Sequence, residues 1–274
     1  MNIKMIATDL DGTLLDKSHA LTEKNLAALK RCVDAGIVLV VATGRSYSSI
    51  TPDVLAIPGI RYIISANGAR VFDTASEKNL LEKNLSAEAI ARAWPLITDK
   101  SIMCEVYWNG WPHVSEVCND NLREYGVPDS FAEYTSDARV PVKDIVEFTE
   151  AHIGEIETIN FNYANETVKK YIFDFLSGGD GYAFSASLPF NYTIGVKDSS
   201  KYSAVNFICE HLGIDSSSVI AFGDGENDLD MIKHAGIGVA MANAPAVVRE
   251  QADFVTLDCD DSGVAYAIDR FIPV

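Results

Sequence analysis

Two carboxylates, Asp9 and Asp11, stand two residues apart where an apolar run stops. Ile3-Lys4-Met5-Ile6-Ala7-Thr8 reads as a buried strand, and Asp9-Leu10-Asp11-Gly12-Thr13-Leu14-Leu15 carries the chain out of it. Period-2 geometry sets Asp9 and Asp11 on one side, and Gly12 releases the backbone into a turn. Two such charges about 4 Å apart repel by roughly 4 kcal/mol at an effective dielectric near 20. A chain tolerates this where a cation or a proton belongs to the design. An ordinary Asp-Gly turn is the plainer alternative for these residues taken alone.

They are not alone. Thr43-Gly44-Arg45, Asn67-Gly68 and Gly223-Asp224-Gly225-Glu226-Asn227-Asp228 each follow a short apolar run. In an open α/β sheet ligands sit at the carboxyl ends of strands, so four polar clusters at such ends point to one rim. Asp224 and Asp228 bring further carboxylates to it, and hard oxygen ligands of this kind suit Mg²⁺.

The elements that must hold these residues alternate at both ends of the chain. Thr22 is placed as an N-cap, Leu21 and Leu26 as a hydrophobic staple, and Leu26, Leu29 and Val33 as an apolar stripe closed by Gly36. Ile37 to Val41 and Tyr62 to Ile64 read as further strands. The pattern returns with a helix through Ala204, Phe207, Ile208 and Leu212, a strand Val219 to Phe222, a helix around Met231, a strand Ile237 to Ala240 and a helix opened by Pro245. Strand, helix, strand in sequence predicts βαβ units and a doubly wound parallel sheet of α/β class.

The middle reads differently. Trp108-Asn109-Gly110-Trp111 predicts a hairpin, because Asn-Gly supplies the two positive φ angles of its turn. Pro112 predicts that the hairpin lies at a sheet edge. Glu157 to Tyr163 reads as a strand, and Thr167 to Leu176 as a helix with Val168, Ile172, Phe175 and Leu176 on one face. The expected organisation is a core domain from residues 1–83 and 190–274, with an inserted α+β cap at 84–189.

The totals set limits. A chain of 274 residues holds one large or two ordinary domains, and its formal net charge of −17 disfavours nucleic acid and anionic membranes as partners. Five cysteines without a Cys-x-x-Cys pair fit reduced thiols, and no stretch reaches the ~20 apolar residues of a membrane span. A cytoplasmic protein, monomeric or weakly self-associating, is expected.

Taken together, Asp9-Leu10-Asp11-Gly12-Thr13-Leu14-Leu15, Thr43-Gly44-Arg45 and Gly223-Asp224-Gly225-Glu226-Asn227-Asp228 resemble the first, second and fourth motifs of the haloacid dehalogenase superfamily of phosphohydrolases. Ser65-Ala66-Asn67-Gly68-Ala69, Gly238-Val239-Ala240-Met241-Ala242-Asn243-Ala244 and Ala252-Asp253-Phe254-Val255-Thr256-Leu257 resemble its Cof-type branch. The third motif is a lysine ahead of a helix. Lys201 stands there, followed by Tyr202 where similar proteins carry glycine, and Lys197 competes for the role.

The resemblance implies a Mg²⁺-dependent phosphatase of small phosphorylated metabolites, sugar phosphates foremost, with a cap that closes over the core. Asp9 is then the nucleophile, which an ordinary carboxylate can be at neutral pH without an activating base. Asp11 is the general acid and base. The metal falls to Asp9, Asp224 and the Asp11 carbonyl, and phosphate contacts to Thr43, Lys201, Asn227 and the Leu10 and Gly44 amides. Asp228 supports from outside, Thr13 is expected to bond Asp11, and Arg45 to pair with rim acids or touch phosphate. A phosphomutase is the near alternative and a phospho-acceptor signalling module the distant one. Tyr107, Trp108, Trp111 and His113 read as hairpin packing before they read as substrate contacts.

Overall fold

The computed structural model describes residues 2–129, 139–186 and 190–273. The chain divides into two compact units: Met1–Gly44, Ile50–Leu81 and Ser200–Val274 form the first, and Arg45–Ser49 with Glu82–Ser199 the second. The strands are β1 (Met5–Thr8), β2 (Val38–Ala42), β3 (Ile60–Ser65), β4 (Arg70–Asp73), β5 (Lys78–Glu82), β6 (Met103–Trp108), β7 (Trp111–Ser115), β8 (Val140–Val142), β9 (Ile156–Asn162), β10 (Tyr182–Ser185), β11 (Asn191–Val196), β12 (Val219–Gly223), β13 (Ile237–Ala240) and β14 (Phe254–Val255).

In the first unit β1 is central. The sheet runs β14-β13-β12-β1-β2-β3-β4-β5, parallel from β14 to β3, with Met5 opposite both Val38 and Val219. The chain steps outward through β2 and β3 on one side of β1, then returns to step outward through β12 and β13 on the other. That reversal opens a crevice at the carboxyl ends of β1 and β12.

Met5, Ala7, Val40, Ala42, Tyr62 and Ile64 pack with Ala204, Val205 and Ile208 of the helix Lys201–Leu212. The alternate residues Ile6, Leu39, Val41 and Ile63 are buried as well, so both faces of the sheet are covered, as its aliphatic strands require. β4 is antiparallel to β3 and begins a mixed margin that the strand-helix alternation did not foretell.

Thr22 caps the helix Glu23–Asp34 by accepting from the Asn25 amide. Asn25 is itself buried: its Nδ2 donates to the Leu14 carbonyl at 3.0 Å, and its Oδ1 accepts from the Ala265 amide at 3.0 Å. That side chain ties the loop after β1 to the helix Gly263–Phe271.

The second unit holds a sheet ordered β10-β11-β9-β6-β7-β8. Val106, Ile159, Phe161 and Ile194 pack beneath the helices Ala87–Ile97 and Glu166–Leu176. The opposite face carries a polar row: Asn160 Nδ2 donates to Glu105 Oε2 and to the Tyr107 hydroxyl, and its Oδ1 accepts from Thr193. The expected limit at residue 189 lies outside the described residues, and β11 beyond it pairs with β9 in this unit.

The hairpin forms at Asn109 and Gly110, with φ of 50° and 80°. It does not lie at the edge that Pro112 suggested, since β8 pairs in parallel with β7. That pairing starts at His113 and Val140, so Pro112 stands just outside the ladder where its missing N–H would cost a bond. Phe175, expected on the inner helix face, is instead 40 % exposed, while Ile172 and Leu176 are buried.

All five cysteines are free thiols. Among the described residues no helix is long and apolar enough to cross a membrane.

Candidate active site

The ladder between β1 and β12 continues one step past Thr8, with the Asp9 amide donating to the Phe222 carbonyl at 3.0 Å. The chain then folds back on itself: the Thr13 and Leu15 amides return to the Leu10 carbonyl and the Leu14 amide to that of Asp9. Gly12 makes this possible at φ +73°, and a Cβ there would sit 2.4 Å from Asp224 Oδ2. Asp224, the first residue past β12, therefore lies against the turn that follows β1.

This contact corrects one expectation. Thr13 Oγ1 donates to Asp224 Oδ1 at 3.0 Å, whereas the Asp11 carboxylate meets the His19 ring. Parallel neighbours deliver their carboxyl ends side by side, so the acid of β12 arrives within reach of the β1 turn. Asn243 completes the joint: its Nδ2 donates to the Gly12 carbonyl at 2.8 Å and to Asp224 Oδ2 at 3.2 Å.

Lys201 opens its helix behind a reciprocal cap, in which Ser200 Oγ accepts from the Ser203 amide and Ser203 Oγ from the Ser200 amide. Gly68 lets the chain pass, since a Cβ there would lie 2.1 Å from the Ser200 carbonyl oxygen. A cation suits a helix N-terminus poorly. Here two carboxylates offset that: Lys201 Nζ donates to Asp9 Oδ1 at 2.6 Å and to Asp228 Oδ1 at 2.7 Å. The residues are 1 %, 6 % and 0 % exposed, so the three charges are held out of water. Asp228 Oδ2 accepts from the Asp224 and Gly225 amides at 3.1 and 2.9 Å, which commits that carboxylate fully.

Of the two candidate lysines, Lys201 thus meets the acids, and Lys197 pairs with Asp180 in the second unit. The Tyr202 ring stacks on His234 at 4.3 Å, which is how the helix accommodates it beside Lys201.

Burial is the largest influence on Asp9 and pushes its carboxyl well above the ordinary range. The Lys201 ammonium opposes this, while the charges of Asp228 and Asp224 add to the rise. Asp224 is raised too, chiefly by burial against the pull of the Thr13 hydroxyl. Lys201 is held in its charged form: burial works against the charge, and Asp228 and Asp9 overcome it.

Asp9, Asp224 and Asp228 offer carboxylate oxygens within 4.8 Å of one another. A donor set of crowded, desolvated oxygens with only one ammonium among them fits a hard divalent cation. Of the three, Asp228 is fully buried, with Lys201 on one oxygen and two amides on the other, whereas Asp224 is only partly buried.

The remaining candidates fall into two groups. Thr43 is buried, and its carbonyl accepts from the Asn67 amide at 3.1 Å. A Cβ on Gly44 would come 3.1 Å from Asn67 Oδ1, and the same oxygen accepts from Asn227 Nδ2 at 3.0 Å. Thr43, Gly44, Asn67 and Asn227 are thereby linked beyond the carboxyl ends of β2, β3 and β12, and Leu10 is buried. Arg45, by contrast, belongs to the second unit, where its Nη1 donates to the Ser49 carbonyl. Sequence reasoning gave no role to His19, Asn67 or Asn243 as single residues. Asn67 and Asn243 stood inside quoted motifs, but His19 carried no signal.

Comparison with known proteins gives the family of the chain. The family model described as haloacid dehalogenase-like hydrolase matches residues 6–268. Two Bacillus subtilis 5-amino-6-(5-phospho-D-ribitylamino)uracil phosphatases are similar along their whole length. YcsE is 27 % identical, with 99 % of this chain and 97 % of the relative covered. YwtE is 30 % identical, with 98 % of each covered. A haloacid dehalogenase-like hydrolase from Bacteroides thetaiotaomicron superposes with a TM-score of 0.81 at 26 % identity, over 99 % of this chain and 100 % of the other.

Proposed function

Because this chain belongs to the haloacid dehalogenase-like hydrolases and is a phosphatase, we propose that it hydrolyses phosphate monoesters of small metabolites, sugar phosphates foremost, through an aspartyl-phosphate on Asp9. The observation that carries this reading is the buried Lys201 ammonium bridging Asp9 and Asp228 beside Asp224. The ribityl phosphate in the names of both Bacillus relatives supports the substrate class.

In the first step an Asp9 oxygen bonds to phosphorus as the bond to the leaving oxygen breaks. The departing electron pair goes to that oxygen, which takes a proton from Asp11. In the second step water attacks the phosphorus and gives its proton to Asp11, and the electron pair of the breaking bond returns to Asp9. Thr43, Asn227, Lys201 and the Leu10 and Gly44 amides donate to the phosphate oxygens, where charge shifts during transfer. Asp228 holds Lys201 in place through its own ion pair. A Mg²⁺ ion, held by Asp9, Asp224 and the Asp11 main-chain carbonyl, would neutralise charge on those same oxygens when bound.

The test is release of inorganic phosphate from p-nitrophenyl phosphate with and without Mg²⁺, by the wild type and by Asp9→Asn. Release that needs both Mg²⁺ and Asp9 supports the reading; release retained by the variant refutes the nucleophile. Isomerisation of a sugar phosphate without release would assign a mutase, and a lasting phosphoprotein without turnover an acceptor module.

A further inference from the structure

The loop that follows the catalytic turn is tightly built. Asp16 Oδ1 accepts from the Ser18 amide, the Ser18 hydroxyl and the Ala20 amide at 2.8, 2.6 and 2.9 Å. The His19 amide donates to the Asp16 carbonyl, and the Asp16 amide to that of Ala20. Leu15 bridges to Asp11 on one side and Leu21 on the other, so the loop is laced back to the residue two past the nucleophile.

Within it His19 sits at φ +60°, a left-handed conformation that a residue with a Cβ adopts seldom, and then mostly in special places. The result is that its ring Nδ1 lies 2.9 Å from Asp11 Oδ1. Both side chains are partly open to solvent, at 50 % and 40 % exposure, so the contact adds little to stability. A strained loop with five internal hydrogen bonds is a costly way to make a weak surface pair, but it is a direct way to aim one carboxyl oxygen.

We infer that His19 is a positioning residue for Asp11. Its Nδ1–H donates to Oδ1 and holds the carboxyl in one orientation for the proton transfer to the leaving group. This rests on the reading of Asp11 as the general acid. If His19 were only a surface partner, its loss would not depend on which leaving group the enzyme must protonate.

The experiment compares kcat/KM for p-nitrophenyl phosphate, whose leaving group departs readily as an anion, with that for phenyl phosphate, whose leaving group needs the proton more. His19→Gly removes the ring and relaxes the backbone. His19→Asn keeps an N–H near the Nδ1 position and tolerates the left-handed conformation. General acids contribute on the order of a hundredfold or more, so misaiming one is expected to lower the phenyl-to-nitrophenyl ratio about tenfold in His19→Gly. His19→Asn should return it to within about threefold of wild type. An unchanged ratio in His19→Gly, or an equal fall in both variants, overturns the inference. Asp11→Asn separates the two readings: if it fails to lower the ratio, the assignment of Asp11 has failed, and if it lowers the ratio while His19→Gly does not, only the role of His19 has.

Discussion

Lys201 Nζ meets Asp9 Oδ1 at 2.6 Å although the two stand 192 positions apart in the chain. The contact exists because β1 and the helix after Ser200 belong to one unit, with their ends on the same rim. It also explains how Asp9 and Asp228, both buried, coexist: one ammonium stands on both.

Lys201→Met should therefore cost more than a packing change. Removing one member of a buried charged group leaves the others uncompensated, at about 3–5 kcal/mol. The methionine fills much of the volume, so the loss reports charge. Urea unfolding should show this deficit, and added Mg²⁺ should recover part of it by supplying another cation to Asp9. Wild-type stability in the variant would mean that the two carboxylates do not depend on the lysine.

Asp228→Asn tests the other end of the bridge. Asp228 accepts from Lys201 with one oxygen and from the Asp224 and Gly225 amides with the other. A carboxamide has only one acceptor oxygen, so its NH₂ must face either an ammonium or two N–H groups. With hydrogen bonds to charged groups contributing roughly 1.5–3 kcal/mol each, a loss of about 3 kcal/mol is expected. Turnover should fall with it, because Lys201 and the loop carrying Asp224 lose a common anchor. A melting curve and a phosphate-release assay on the same preparation measure both.

How much of this was legible beforehand depended on distance along the chain. Thr22 as a cap, the turn at Asn109 and Gly110, and the strand that stops at Asp9 are local patterns, and each is found where its residues predicted. That Asp9 and Asp224 lie at strand ends on one rim followed from the βαβ alternation, whereas the adjacency of β1 and β12 did not. Partners set by loop paths did not: Thr13 reaches Asp224 across 211 residues, and Asn243 reaches Gly12 across 231. Hydrophobic period places a strand in a sheet, but it does not say which side chain of a turn faces which neighbour. Pro112 and Phe175 misled for a related reason, because a strand's edge and a helix's covered arc depend on what packs there.

Two glycines with like backbone strain separate crowding from conformation. Gly12 and Gly36 have φ of +73° and +85°, so alanine at either should cost about 1–2 kcal/mol from the left-handed backbone. A Cβ at Gly36 meets nothing within 4 Å, whereas at Gly12 it meets Asp224 Oδ2 at 2.4 Å. Gly12→Ala should then raise the Mg²⁺ concentration for half-maximal activity, by about tenfold for ~1.4 kcal/mol of lost binding. Gly36→Ala should leave that concentration near the wild-type value. Equal Mg²⁺ titrations for both variants would remove Asp224 from the metal's ligands.

The second unit should weaken at mildly acidic pH through His113. Its ring stacks on Phe148 at 4.3 Å, meets the edge of Trp108 at 5.7 Å, and shares a 2.9 Å bond between Nδ1 and the Trp111 carbonyl. Burial holds its pKa below the usual 6.5, against the pull of the Trp111 and Val106 carbonyls, and His152 adds to the depression. Between the depressed folded value and 6.5 the unfolded chain binds more protons, so stability falls as pH drops through that window and levels off below it. His113→Phe keeps the stacked ring and removes the titration, though it gives up the bond to Trp111. The stability difference between wild type and His113→Phe, followed by thermal unfolding from pH 7.5 to about 5, should therefore move toward the variant as pH falls. A difference that stays constant across the range would show that His113 gains and loses its proton equally in the folded and unfolded chains.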